Sequence, residues 1–184
     1  DASLAAWHAA LGLGLEGGMQ KTLTLAQSNG VKFFTASDYI TVRHVDSGEG
    51  IPNGDPDQAL GAADPHLWTN PLAMKSIVAA LAEYLKANLG INVDAGSQDS
   101  QTRLDSLNTQ VAAEVATLPP GSRKLVTSHE SMGYFAQRYG FKLVGVIVPG
   151  LSSQAGVSAG DLAALKRAIQ GNRVKALFAE VGTS

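Results

Sequence analysis

Two histidines stand where a ring nitrogen could be held still for a metal. His66 lies in Asp64-Pro-His-Leu-Trp-Thr-Asn-Pro71, with Pro65 and Pro71 restricting the backbone on either side. A ligand must be fixed before the ion arrives, so a rigid loop suits that role; the same rigidity would also serve to aim Trp68 into a core. His129 follows Lys124-Leu-Val-Thr127, a short apolar run that reads as a buried strand, and opens a helix expected from Glu130 to Tyr139. Ligands bind beyond the carboxyl ends of strands in open parallel sheets, and a helix N-terminus disfavours an imidazolium, leaving a neutral ring with a lone pair. The competing reading of His129 is a helix cap or a buried polar group bonded to backbone. Glu180 closes a further apolar run, Val174 to Ala179, and is expected to open toward the same rim. Two imidazoles and a carboxylate form a metal-binding set and, with a bound water, the set of a zinc hydrolase.

The other two histidines fit this chemistry less well. His8 falls in an Ala-rich stretch and reads as structural. His44 lies in Arg43 to Ala63, a segment with four glycines, two prolines and several acids that reads as a solvated loop. With no cysteine in the chain, thiolate sites, disulfides and Cys nucleophiles are excluded. Ser128 and Ser131 adjoin His129 without a nucleophile-elbow pattern, so serine hydrolysis is not supported.

The elements that must position these residues follow from periodicity and punctuation. A strand at Lys124–Thr127, a helix ending at Gly140, a strand at Lys142–Val148, a helix from the Ser158-Ala-Gly-Asp161 capping box to Gln170 and a strand at Val174–Ala179 alternate as β-α-β-α-β. That order predicts a parallel sheet with helices on its faces. Asn70-Pro71 opens a helix that runs to Leu89 and stops at Gly90, with Leu72, Ile77, Val78, Leu81 and Leu85 on one face. A more polar helix is expected over Ser97–Leu118, carrying Leu104, Leu107, Val111 and Val115, and Pro119-Pro-Gly121 closes it. Ser3–Gln27 reads as helical and Val31–Ala36 as the one clear N-terminal strand. One strand cannot cover helices unaided, and the C-terminal half stops just after a strand; the expectation is a fold incomplete at both ends.

Composition bounds the function. With 184 residues and 45% hydrophobic content the chain can bury a core. A net charge of -2 with 16% charged residues offers no basic surface, so nucleic acid is not an expected partner. Apolar stretches are broken well before the ~18 residues that a bilayer span needs. Asp1 opens into ordinary sequence without a signal-peptide pattern, as a mature or trimmed chain also would.

One motif points elsewhere. Gly12-Leu-Gly14-Leu-Glu-Gly17 has the dinucleotide-binding spacing, and Asp38 lies about 20 residues on, as a ribose ligand would for an NAD-dependent oxidoreductase. The fingerprint has to follow a strand, and Asp1–Leu11 is Ala-rich with few β-branched residues, which argues against it.

Four stretches in order resemble one family. These are Leu11 to Met19 with its Gly-Leu-Gly-Leu-Glu run; Asp64-Pro-His-Leu-Trp68 through Pro71; Thr127-Ser-His-Glu-Ser-Met-Gly-Tyr-Phe135 with Tyr139-Gly140; and Leu177-Phe-Ala-Glu180. Together they resemble the ZnuA/TroA-like zinc and manganese solute-binding proteins of ABC importers. The resemblance implies an α/β fold of two doubly wound lobes bridged by a long helix: an N-terminal lobe over 1–96, the connecting helix over 97–118 and a C-terminal lobe over 119–184. It implies a divalent ion, zinc or alternatively manganese, held by His66 from the first lobe and His129 from the second. A histidine in the second-lobe position resembles the zinc-type pattern, and Glu180 matches a motif beside the site, as a second-shell group or substitute ligand. Binding rather than catalysis is implied, with a membrane permease as partner, a monomeric state and an extracytoplasmic place, periplasmic or lipid-anchored; adhesin-like roles also occur in the family. The upstream histidine and late aspartate of the family pattern have no match here, so tight metal binding by this chain alone is not expected.

Overall fold

A computed structural model of the chain describes residues 9–12, 20–46, 61–147 and 159–178. They pack as two compact units, residues 1–42 with 71–108 and residues 43–70 with 109–184. Both carry parallel strands with helices alongside, the α/β class expected.

In the first unit, β1 (Ala9–Gly12) pairs in parallel with β2 (Lys32–Thr35), from Ala9 opposite Lys32 to Gly12 opposite Thr35, and α1 (Gln20–Ser28) forms the crossover. This corrects the helical reading of Ser3–Gln27: Ala9–Gly12 is extended despite its poor β propensity, because a partner strand outweighs local preference. It also removes the objection that no strand precedes Gly12. Phe34 on β2 is 2% exposed, stacks on Tyr39 at 4.9 Å and meets the edge of Tyr84 at 5.4 Å. Tyr84 comes from α2 (Pro71–Leu89), which has the expected bounds and buries Ile77 and Ala82. Its end is fixed by Gly90 at φ +68°, with Gly90 N–H donating to the Lys86 carbonyl and Ile91 N–H to that of Leu85.

Helix α3 (Asp94–Ala116) begins three residues before the expected Ser97, because the Asn92 side chain accepts the Asp94 N–H at 2.9 Å. Its apolar line is covered in part: Val115 is buried while Leu107 is 46% exposed, as expected of a helix packed over only part of its length.

The second unit is built on β3 (Lys124–Thr127) and β4 (Lys142–Val146), parallel, with a bulge that shifts the register between Leu125 and Val126. Val126 is fully buried. Helix α4 (Gly133–Tyr139) ends at Gly140, at φ +71°, and α5 (Ala159–Asn172) lays Leu165 over Gly145, where a Cβ would stand 2.9 Å from the leucine Cδ1. Helix α5 passes Gly171 and turns at Arg173, at φ +53°; Lys124 and Lys142 bond the carbonyl and the side chain of Asn172, meeting the negative helix end. The third strand expected from Val174 reduces, among the described residues, to one bridge: Phe178 pairs in parallel with Thr127, its N–H donating to Val126. Strand β3 thus has neighbours on both sides.

Three of the four tyrosines are held above their ordinary pKa of 10.0, Tyr84, Tyr134 and Tyr139, in each case chiefly by burial. A raised folded pKa means that the unfolded chain loses its phenolic protons first. The stabilisation is complete below about pH 10 and is lost as pH rises through the folded values. Thermal unfolding should therefore show a falling midpoint above about pH 10, with tyrosinate absorbance at 295 nm appearing together with loss of structure; a midpoint constant to pH 11.5 would contradict it.

Candidate metal centre

His66 is set by a short antiparallel stem. Val45 N–H donates to the Ala62 carbonyl at 2.8 Å, Gly61 N–H to Val45 at 3.0 Å and Asp64 N–H to Arg43 at 2.9 Å, while His44 pairs with Ala63 and is itself exposed. The loop expected over Arg43–Ala63 is therefore tied at its base; residues 47–60 lie outside the described set. Beyond the stem, Asp64 Oδ1 accepts the His66 backbone N–H at 2.9 Å, an Asx-type turn over Pro65. A 3-10 turn, Leu67–Thr69, follows, closed by Thr69, whose N–H and hydroxyl both donate to the His66 carbonyl. Leu67, 1% exposed, anchors this turn against α4. Trp68 is 53% exposed, its ring 5.3 Å from that of His66, so aiming Trp68 into a core is not what the rigid loop does.

His129 follows β3 directly, as expected, but does not open a helix. Its carbonyl closes a tight turn, accepting the Ser131 N–H at 2.8 Å and the Thr127 hydroxyl at 2.7 Å. Helix α4 begins four residues later, at Gly133 rather than Glu130. The helix-terminus argument for a neutral ring therefore lapses, and the position at the carboxyl end of β3 remains.

Both histidines belong to the second unit, and their rings lie 5.2 Å apart between centroids at 64°. Two imidazoles bound through one nitrogen each to a tetrahedral zinc, with Zn–N of about 2.0–2.1 Å, would have centroids about 5 Å apart. The two rings thus already have the spacing that one ion requires. His66 is 5% exposed, and its Nδ1 lies 2.9 Å from Asp64 Oδ1. A carboxylate only accepts, so Nδ1 carries the hydrogen; in the neutral ring the lone pair is then on Nε2, the orientation that carboxylate–histidine–metal triads use. The other oxygen, Oδ2, accepts from Arg43 Nη1 at 2.9 Å, and Arg43 N–H donates to the Tyr134 hydroxyl at 2.8 Å. This pair is buried, Asp64 at 1% and Arg43 at 9% exposure.

Two imidazoles are what the described residues bring together; among them no group of three or more His, Cys, Asp or Glu is placed to hold a metal ion. Glu180 and His8 lie outside the described residues, as does the glycine run after Gly12, while Asp38 sits in the 3-10 turn Ala36–Tyr39 after β2. The Asp64–Arg43 support was not anticipated from the sequence. An Asp two residues before a His with Pro between them is a local signal for the first half of it; nothing local points to Arg43.

The whole chain, residues 1–184, matches the family described as "Zinc-uptake complex component A periplasmic". It is similar to the zinc-binding protein TroA of Treponema pallidum, 31% identical over 121 residues, covering 64% of this chain and 38% of that protein. It is also similar to the manganese-binding lipoprotein MntA of Bacillus subtilis, 31% identical over 125 residues, covering 66% and 40%. A crystal structure of ZnuA superposes with a TM-score of 0.77 at 26% identity, covering all of this chain and 67% of that one. The chain thus spans about two fifths of the length of the two curated relatives.

Proposed function

Since the chain belongs to the ZnuA family of periplasmic zinc-uptake components, we propose that it binds zinc outside the cytoplasm for delivery to an ABC importer, with His66 and His129 among the ligands. The observation that carries this reading is the ring pair at 5.2 Å, one ring already held in the metal-binding tautomer by Asp64. The partners are the ion and a membrane permease. The protein acts as a monomer, in the periplasm or lipid-anchored at the surface, without turnover. We read residues 97–118 as the connector of lobes over 1–96 and 119–184, and Glu180, from its motif, as a second-shell group or substitute ligand. Family membership favours this reading over a zinc hydrolase and over an NAD-dependent enzyme, for which the glycine spacing, Asp38 and the strand ending at Gly12 speak.

Zinc is chosen over manganese because imidazole suits zinc, whereas manganese favours oxygen donors. The test offers both ions at equal free concentration and measures bound metal by mass spectrometry. The expected result is a preference for zinc that narrows in His129→Glu; a parent protein that prefers manganese would show the assignment to be wrong.

A further inference from the structure

We propose that Arg43, seated against the bare backbone of Gly133, is a positioning residue that fixes which nitrogen of His66 faces the ion. Asp64 holds His66 through one oxygen, which accepts both the backbone N–H and Nδ1. A carboxylate that swings about its Cβ–Cγ bond carries the accepting oxygen out of line with Nδ1, so these two bonds orient the ring best when the other oxygen is also held. Arg43 Nη1 holds it at 2.9 Å. Arg43 is in turn fixed at its backbone, where its N–H donates to Tyr134 Oη at 2.8 Å and its carbonyl accepts from Asp64 N–H at 2.9 Å.

Gly133 makes the arrangement possible. A Cβ at this position would overlap the Arg43 guanidinium and the Asp64 carboxylate together. Its backbone lies outside the positive-φ region, so conformation does not demand glycine there. As the first residue of α4 it occupies a place where alanine would favour the helix. Room for the ion pair is the physical reason for glycine at this position. Residues 133 and 134, which follow His129 closely in the chain, thereby set the ring of His66, and the two imidazoles are presented as one constructed pair.

This inference rests on His66 being a metal ligand, and the experiment separates the two. Ring-nitrogen NMR of 15N-histidine-labelled protein without metal reads the His66 tautomer, and chelator competition with zinc reads affinity. In Gly133→Ala the Nδ1–H tautomer should give way to a mixture and zinc affinity should fall about tenfold or more, with helix content unchanged by circular dichroism. A single Nδ1–H tautomer with parental affinity in Gly133→Ala would overturn the proposal. If that variant does not fold, Arg43→Met and Arg43→Lys carry the test: Met, which has no donor, should lose the tautomer, and Lys, which can still donate to Asp64 Oδ2, should keep it. Parental behaviour in both would overturn the proposal equally. His66→Ala is the control for the ligand reading, since unchanged zinc affinity there would remove the ligand while the tautomer result still decides the role of Arg43 and Gly133.

Discussion

In the full-length protein, replacing either His66 or His129 by alanine is expected to weaken zinc binding by at least about tenfold, since loss of even a second-shell partner of a ligand costs 10- to 100-fold. The argument is geometric: two rings 5.2 Å apart supply two nitrogens to one ion, and His66 is held by Asp64 before the ion arrives. Removing one ring leaves water in its place and removes the bridge between the His66 turn and the His129 turn. The double variant should lose little more than either single one, because one imidazole alone makes a poor zinc site. Titration against a chromophoric chelator measures all three proteins, and parental affinity in both single variants would end the assignment. His44→Ala serves as the comparison, because His44 is exposed on the stem and should leave affinity unchanged.

The largest effect on stability is expected at Asp64. Asp64→Leu leaves the Arg43 guanidinium buried without its carboxylate and deprives the His66 backbone N–H of its acceptor. Breaking a buried pair from one side costs about 3–5 kcal/mol, a large fraction of the stability of a small domain. Pairing the change with Arg43→Met removes the buried charge as well and should recover part of the loss, since apolar replacements of whole buried pairs are often tolerated. Urea unfolding of the parent, the single and the double variants tests this as a cycle. A single variant within 1 kcal/mol of the parent would mean that the pair is not desolvated as the exposures imply.

Local signals made the helices most legible. Asn70-Pro71 and Gly90 bracket α2 at its observed bounds, and the polar α3 was found within three residues at either end. Ala9–Gly12 was not legible, because nothing in four small residues requires extension until Lys32–Thr35 lies beside them. The sequence places the start of α4 too early because Glu130 continues the helical pattern, while a turn closed by the Ser131 N–H on the His129 carbonyl, which the Thr127 hydroxyl also bonds, comes first. In the candidate site, each imidazole is singled out by its own loop or strand end, and their pairing follows from the family resemblance. Their support was not: Asp64 meets Arg43 across 21 residues and Arg43 meets Tyr134 across 91, distances over which no periodic pattern carries information.

The stem beneath residues 47–60 separates insertion from function. Its rungs join Val45 to Ala62 and Gly61 and end at Arg43 and Asp64, so the bonds that fix His66 begin on the far side of a closed clasp. For chain added between the two sides of the clasp, the closure entropy grows by only about 0.6 kcal/mol for each doubling of length. Related sequences could therefore vary this segment in length and charge, and a tag or a cluster of extra ligands could be grafted there, without moving the imidazole below.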